Sequence, residues 1–220
     1  MSIRDGRVPR SVKIAYSAFA AVLVPYYLQA YGPTNFLYFC DVAVLLTLVA
    51  VWRESALLVS MAAVGIVLPQ LLWQLDFLGL LFGLPVSGMT RYMFDPQKAL
   101  FVRGLSFFHF WLPILLLWLL HRLGYDRRAF LLWTLLAWGL VLICFFAMPA
   151  QPAPVDNPNL PVNINYVHGF SDQKPQESLP PLAYLGLMLL VLPTCLFYPT
   201  HVLLSRLFPA KPVPLAETAR

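Results

Sequence analysis

Charged residues are scarce in this sequence. Only 11% of the 220 residues are charged and 60% are hydrophobic, whereas ordinary soluble domains are about one quarter charged. This deficit excludes a soluble globular domain and indicates an integral membrane protein. The formal net charge of +5 does not indicate a nucleic-acid partner, because the basic residues are scattered at the ends of apolar segments. We expect membrane lipid to be the partner, and no nucleic acid.

The short signatures of well-known catalytic and metal sites are also missing. The three cysteines lie inside apolar runs without CxxC spacing, which excludes a disulfide framework or a metal knuckle. The P-loop, GxSxG, HExxH and dinucleotide-binding motifs do not occur. A zinc site at His109, His168, Asp41 and Asp76 is an alternative that these spacings do not support, so we predict no metal and no cofactor. The absence of an internal repeat disfavours a transporter built from inverted repeats.

What the sequence does contain is six apolar runs of about the length that crosses a bilayer, since roughly 20 helical residues span ~30 Å of hydrocarbon. We predict an all-α fold in which residues 1–220 form one membrane domain, a bundle of six transmembrane helices. The predicted helices cover about residues 14–30, 36–51, 56–82, 100–120, 129–148 and 182–204. Pro69, Pro113 and Pro193 are expected to kink the third, fourth and sixth helices.

The basic residues divide unevenly between the two sides of such a bundle. With the N-terminus inside, eleven Lys and Arg residues lie on one side and four on the other. The positive-inside rule then predicts cytoplasmic termini and places the loops 83–99 and 149–181 outside. We expect the bacterial inner (plasma) membrane. A cleavable signal peptide is the alternative interpretation of residues 1–30, because the first apolar run is short and ends in LQA.

Polar residues concentrate in the outer half of the predicted bundle, in one layer about 8 to 13 Å deep at 1.5 Å per residue. A carboxylate in hydrocarbon is costly and usually marks a working site. We therefore expect an interior polar cavity in which Arg103 neutralises Asp41 or Asp76, and Asp76 alternatively orients His109. The other predicted cavity residues are Gln70, Gln74 and Ser106 from the helices and Asn163, Asn165, Tyr166 and His168 from the second loop. The alternative for the loop asparagines is that they satisfy their own turns.

Cys40 and His109 are the candidate catalytic residues. Cysteine attacks as the thiolate and needs a base or a positive field, and His109 is predicted at a similar depth. The pair would support acyl transfer or ester hydrolysis on a lipid, with Asn165, Arg103 or Gln74 stabilising the oxyanion. The alternatives are a packed apolar cysteine and a histidine that links two helices. The protein would then be a non-catalytic small transporter or a lipid-binding or structural membrane protein.

Four short motifs carry a family resemblance. They are YFCD at 38–41, PQLLWQLDFL at 69–78, the histidine of FFHFW at 107–111 and NYV at 165–167. Together they resemble the YwaF-like six-helix membrane proteins, whose animal relatives are phospholipid acyltransferases. By this resemblance Cys40 would be the acyl-accepting nucleophile and His109 its base, which is similar to the Thr–His pairing of the androgen-induced intramembrane hydrolases. The chain departs from the family at Tyr38, where a histidine is usual, and at Phe108 and Phe110, where small residues are usual.

Overall fold

A computed structural model gives the fold, and it describes residues 8–84, 86–171 and 173–210. These residues form eight α-helices and no strand, so the all-α prediction is confirmed. The helices are α1 (Arg10–Tyr31), α2 (Phe39–Arg53), α3 (Ala56–Leu81), α4 (Leu100–Ser106), α5 (Phe108–Leu123), α6 (Ala129–Ala147), α7 (Pro181–Val191) and α8 (Tyr198–Leu207).

Within the described part of the chain, five helical segments are long and apolar enough to cross a membrane. They are α1, α3, α4 together with α5, α6, and α7 together with α8. A multi-helix membrane protein is therefore confirmed. The helix outside this group is α2, which has 15 residues and extends only about 22 Å at 1.5 Å per residue. It starts later than predicted, because the 3-10 turn Pro33–Leu37 and the extended Tyr38 precede it.

Two predicted helices are interrupted. The fourth apolar run is divided at Phe107 into α4 and α5. The last run contains a π-helical turn, Leu192–Phe197, which includes Pro193. Proline has no N–H for the carbonyl one turn earlier, and an inserted residue is one way for a helix to accommodate it. Pro69 and Pro113, by contrast, lie inside helices that continue on both sides of them.

The centre of the bundle is α3, which packs against α2, α5 and α6 and against the α7–α8 segment. The Ser55 hydroxyl accepts a hydrogen bond from Leu58 N and so caps the start of this helix. Residues 59–67 are all buried, and small side chains there allow neighbouring helices to approach closely. At Gly65 a Cβ atom would collide with the ring of Trp133, which is itself fully buried.

The two ends of the bundle differ in the connections that they carry. We call the end at which α1, α3 and α6 finish and α2 begins the Asp41 end, and the opposite one the Glu54 end. At the Glu54 end, Lys13 Nζ lies 2.8 Å from Glu54 Oε1. The long connections 82–99 and 148–180 both lie at the Asp41 end, where most of the predicted site residues are also found.

Candidate functional site

Asp41 is buried in the first turn of α2 and has no cationic partner among the described residues. It is 3% exposed. Its Oδ2 accepts a hydrogen bond from Asn35 Nδ2 at 3.1 Å, whereas its Oδ1 is buried and has no partner. None of the ion pairs formed by the described residues includes Asp41, Asp76 or Arg103. The predicted neutralisation of Asp41 or Asp76 by Arg103 is therefore wrong.

Arg103 and Asp76 are instead used by the loop between α3 and α4. Arg103 donates from Nη1 to the Met93 carbonyl at 3.1 Å, and its buried Nε has no partner. Asp76 is completely buried and accepts four hydrogen bonds, from the N–H groups of Ser87, Gly88 and Thr90 and from the Thr90 hydroxyl, at 2.6 to 2.9 Å. A carboxylate has about four acceptor positions, so Asp76 has none left with which to orient His109.

The break between α4 and α5 frees a backbone carbonyl that binds the ring of His109. Phe110 N donates to the Phe107 carbonyl at 3.0 Å, which leaves the Ser106 carbonyl free for His109 Nδ1 at 2.7 Å. A carbonyl only accepts, so Nδ1 carries the proton and Nε2 is an acceptor. The ring also stacks on Trp73, with centroids 5.1 Å apart.

Cys40 and His109 lie in different surroundings, and no hydrogen bond joins them in the described structure. The Cys40 thiol contacts Asp41 Oδ2 at 4.0 Å and lies beside the backbone N–H groups at the start of α2. A neighbouring carboxylate opposes formation of the thiolate, because like charges repel. The Cys–His pair therefore stays a prediction.

The two glutamines of α3 have different environments. Gln74 Nε2 donates to the carbonyls of His109 and Phe110 at 3.2 and 3.1 Å. In a regular helix the His109 carbonyl would accept a hydrogen bond from the N–H four residues later, but that residue is Pro113, which has no N–H. The side chain of Gln74 supplies the missing donor. Gln70 is 3% exposed, and neither polar atom of its side chain has a partner.

Two tyrosines that the sequence did not single out complete the polar group around Asp41. The Tyr27 hydroxyl lies 3.2 Å from Ser106 Oγ and within electrostatic range of Asp41, Cys40 and Tyr92. Tyr92 in turn lies near Cys40 and Ser106, and burial raises the pKa of its hydroxyl, which therefore stays protonated at neutral pH. We call the set Tyr27, Asn35, Cys40, Asp41, Tyr92 and Ser106 the Asp41 cluster. The only sequence signal for Tyr27 was the tyrosine-rich stretch PYYLQAY at 25–31.

Asn165 holds the start of α2 from a distant part of the chain. Its Oδ1 accepts from Phe39 N and its Nδ2 donates to the Leu37 carbonyl, both at 2.9 Å. It therefore occupies the place of an N-cap that Tyr38 does not provide. Its own backbone has a φ of 58°, a left-handed conformation that asparagine tolerates better than most residues. Its Nδ2 also lies 3.7 Å from Cys144 Sγ, so both amide atoms already have partners, and the role of Asn165 as an oxyanion donor stays a prediction.

The remaining loop residues mainly shape the loop itself. Asn163 bonds within its own turn, to Gly169 O at 2.7 Å and from His168 N at 2.8 Å, as in the alternative interpretation of the asparagines. The Tyr166 carbonyl accepts a hydrogen bond from Tyr184 at 3.2 Å. Tyr166 also lies within electrostatic range of Tyr92.

His168 borders a separate small cavity of about 30 Å³ between this loop, α6 and α7. Its ring lies 5.1 Å from that of Phe145, and its buried Nε2 has no partner. Burial lowers the pKa of His168 below its usual value. The other residues that line the cavity are Phe145, Val167, Pro175, Gln176, Pro181 and Tyr184.

The fold and the site together define a multi-helix, all-α membrane protein with a buried polar cluster at one end. Among the described residues, no three His, Cys, Asp or Glu side chains lie close enough together to hold a metal ion. Comparisons of the chain with protein-family models, with curated proteins and with solved structures find no match.

Proposed function

We propose that this chain is a lipid-binding membrane protein whose Asp41 cluster holds the polar headgroup of a membrane lipid. The observation that supports this function is the buried Asp41 carboxylate, whose Oδ1 has no partner among the described residues, and which lies within electrostatic range of the Tyr27 hydroxyl. Buried polar atoms are nearly always paired, and one left unpaired costs roughly 1 to 3 kcal/mol. A polar ligand that bonds to Asp41 and its neighbours would remove that cost.

The proposal includes the arrangement of the chain in the membrane. In it α2 is a sixth span, both termini are cytoplasmic, and the Asp41 end faces outward from a bacterial inner membrane. The uneven division of the 15 Lys and Arg residues supports this orientation. A membrane-impermeant thiol reagent should then label a Val155→Cys variant in intact cells, because that side chain is fully exposed. A Ser11→Cys variant should react only after permeabilisation, and the reverse pattern would contradict the orientation.

The lipid-binding proposal is tested on the hydroxyl groups of the cluster. Tyr27→Phe removes the hydroxyl that contacts Ser106, and Tyr26→Phe, at the preceding residue, is the matched control. Native mass spectrometry of the full chain in detergent would measure the lipid that each form retains. We expect Tyr27→Phe to weaken retention about fivefold, the effect of one neutral hydrogen bond of ~1 kcal/mol, and Tyr26→Phe to leave it unchanged. Equal retention by the two variants would contradict headgroup binding at this cluster.

Acyl transfer or ester hydrolysis at Cys40 is the second candidate function. The observation in its favour is that the Cys40 sulfur lies beside the first N–H groups of α2, since a helix N-terminus favours a negatively charged sulfur. Burial and the Asp41 carboxylate act in the opposite direction. The resemblance of four motifs to the YwaF-like proteins agrees with it. In this reaction the Cys40 thiol attacks an ester carbonyl, its proton passes through His109 Nε2 to the departing alcohol, and water or a second alcohol releases the acyl group.

A thioester on the protein would identify this reaction. Incubation with a radiolabelled phospholipid should leave a hydroxylamine-sensitive acyl group that Cys40→Ser removes. Cys195→Ser is the control, because Cys195 is exposed and lies in the π-helical turn. A chain that acquires no label, or loses it equally in both variants, excludes Cys40 as the nucleophile.

A further inference from the structure

We infer that the group bound at the Asp41 cluster carries a single positive charge and is the ammonium of a lipid headgroup. This inference rests on the proposed lipid binding and adds the chemical class of the ligand. It starts from the charge balance of the cluster, which the surrounding side chains leave incomplete.

The groups around Asp41 are neutral. Asn35 supplies an amide, and Tyr27 and Ser106 supply hydroxyls. Arg103 donates to the Met93 carbonyl, and the ion pairs of the described residues all lie elsewhere. Neutral hydrogen bonds stabilise a carboxylate but do not cancel its charge, and a buried charge without a counter-charge is strongly disfavoured. A cationic ligand supplies the counter-charge that the described residues do not.

The chemistry of the cluster fits one ammonium group better than a divalent metal ion. An ammonium offers three N–H donors, and the cluster offers the unpartnered Asp41 Oδ1 together with the lone pairs of the Tyr27 and Ser106 hydroxyls. Divalent metal sites usually combine several carboxylate, histidine or cysteine ligands, whereas the described residues contain no such group of three. One carboxylate matches one positive charge.

The cluster lies beside aromatic rings and borders the protein surface. The rings of Tyr27 and Tyr31 meet edge to face, with centroids 5.4 Å apart. Tyr31 and Cys40 are both partly exposed, so the cluster borders the protein surface. A headgroup that reaches Asp41 from this surface would keep its acyl chains among the lipids.

The experiment compares ligands that differ in one charge. Thermal unfolding of the full chain in a lipid-free neutral detergent is measured with added phosphatidylethanolamine, with its N-acetyl derivative, which lacks the ammonium, and with phosphatidylglycerol. Separate samples contain Na⁺, K⁺ or the large cation N-methylglucamine. Asp41→Asn tests the carboxylate, and Asp95→Asn is the control, because Asp95 accepts only a local hydrogen bond in an exposed turn.

We expect phosphatidylethanolamine to stabilise the wild type, with an apparent affinity at least about tenfold above that of the N-acetyl lipid and phosphatidylglycerol, the effect of one charge-assisted hydrogen bond. Asp41→Asn should abolish this difference and Asp95→Asn should keep it. If Asp41→Asn does not fold, the ligand preference of the wild type decides.

The other outcomes separate this inference from the proposed function. Equal stabilisation by all three lipids would overturn the cationic ligand and leave lipid binding intact. Stabilisation by Na⁺ or K⁺ but by no lipid would support a cation at Asp41 and overturn the lipid as its source. Indifference to every ligand would mean that Asp41 carries a proton, and it would overturn both.

Discussion

The clearest test of how this end of the bundle is built is the removal of the Asn165 side chain. Asn165→Gly deletes both hydrogen bonds to the start of α2, those with Phe39 N and Leu37 O, while glycine still adopts the φ of 58° found there. Each backbone group left without a partner costs at least about 1 kcal/mol, so the two together predict a loss of about 2 to 3 kcal/mol in the free energy of unfolding.

Glycine also makes the unfolded chain more flexible, and the stability lost in this way must be subtracted from the measured loss. Asn159→Gly is the control, because Asn159 is exposed in the same loop. Reversible unfolding in mixed micelles would give both free energies, and hydrogen exchange at the Phe39 amide would show whether the loss is local. Asn165→Asp should fall between the two, since it keeps the acceptor for Phe39 N and loses the donor to Leu37 O. If Asn165→Gly costs no more than Asn159→Gly, the contact with α2 contributes nothing to stability.

Two further predictions concern Gln74 and His168. Gln74→Leu should lower the free energy of unfolding by about 1 kcal/mol, because the His109 carbonyl loses its donor. In a Pro113→Ala background the same change should cost less, since the alanine N–H at position 113 can then bond to the His109 carbonyl. Equal costs in a double-mutant cycle would show that Gln74 does not stand in for that helix N–H. Burial lowers the pKa of His168, so the unfolded chain takes up more protons as the pH falls below about 6.5, and wild-type stability should decrease there. His168→Gln should flatten this decrease between pH 7 and 5 in the same unfolding assay, and an unchanged pH profile would show that His168 is not the group responsible.

The helices were predictable where an uninterrupted apolar run decides the structure. The predicted helices 56–82 and 129–148 match α3 (Ala56–Leu81) and α6 (Ala129–Ala147) closely, because length and hydropathy are sufficient there. The start of α2 was not predictable in this way. It depends on a contact with Asn165, and no local pattern indicates a hydrogen bond between residues so far apart in the chain.

The buried polar residues were found, but the partners of most of them were not. Asp41 and Asp76 look equivalent in the sequence. Only the structure shows that three loop N–H groups and the Thr90 hydroxyl donate hydrogen bonds to Asp76. Most of the donors to Asp76 are backbone N–H groups, which the identity of the side chains in the sequence does not reveal. Gln74 is different, since a proline four residues after His109 marks a carbonyl that needs an outside donor. Tyr27 was missed because tyrosine near the end of an apolar run is ordinarily a lipid-interface residue.

The long-range bond of Asn165 also sets the order in which the protein can be completed during synthesis. The first N–H of α2 and the side chain that receives it are separated by 126 positions, so α1 to α6 must all be made before Asn165 exists. At typical translation rates of 5 to 20 residues per second, this leaves on the order of ten seconds in which α2 is present with an open start. The start of α2 is therefore among the last parts of the molecule to be completed.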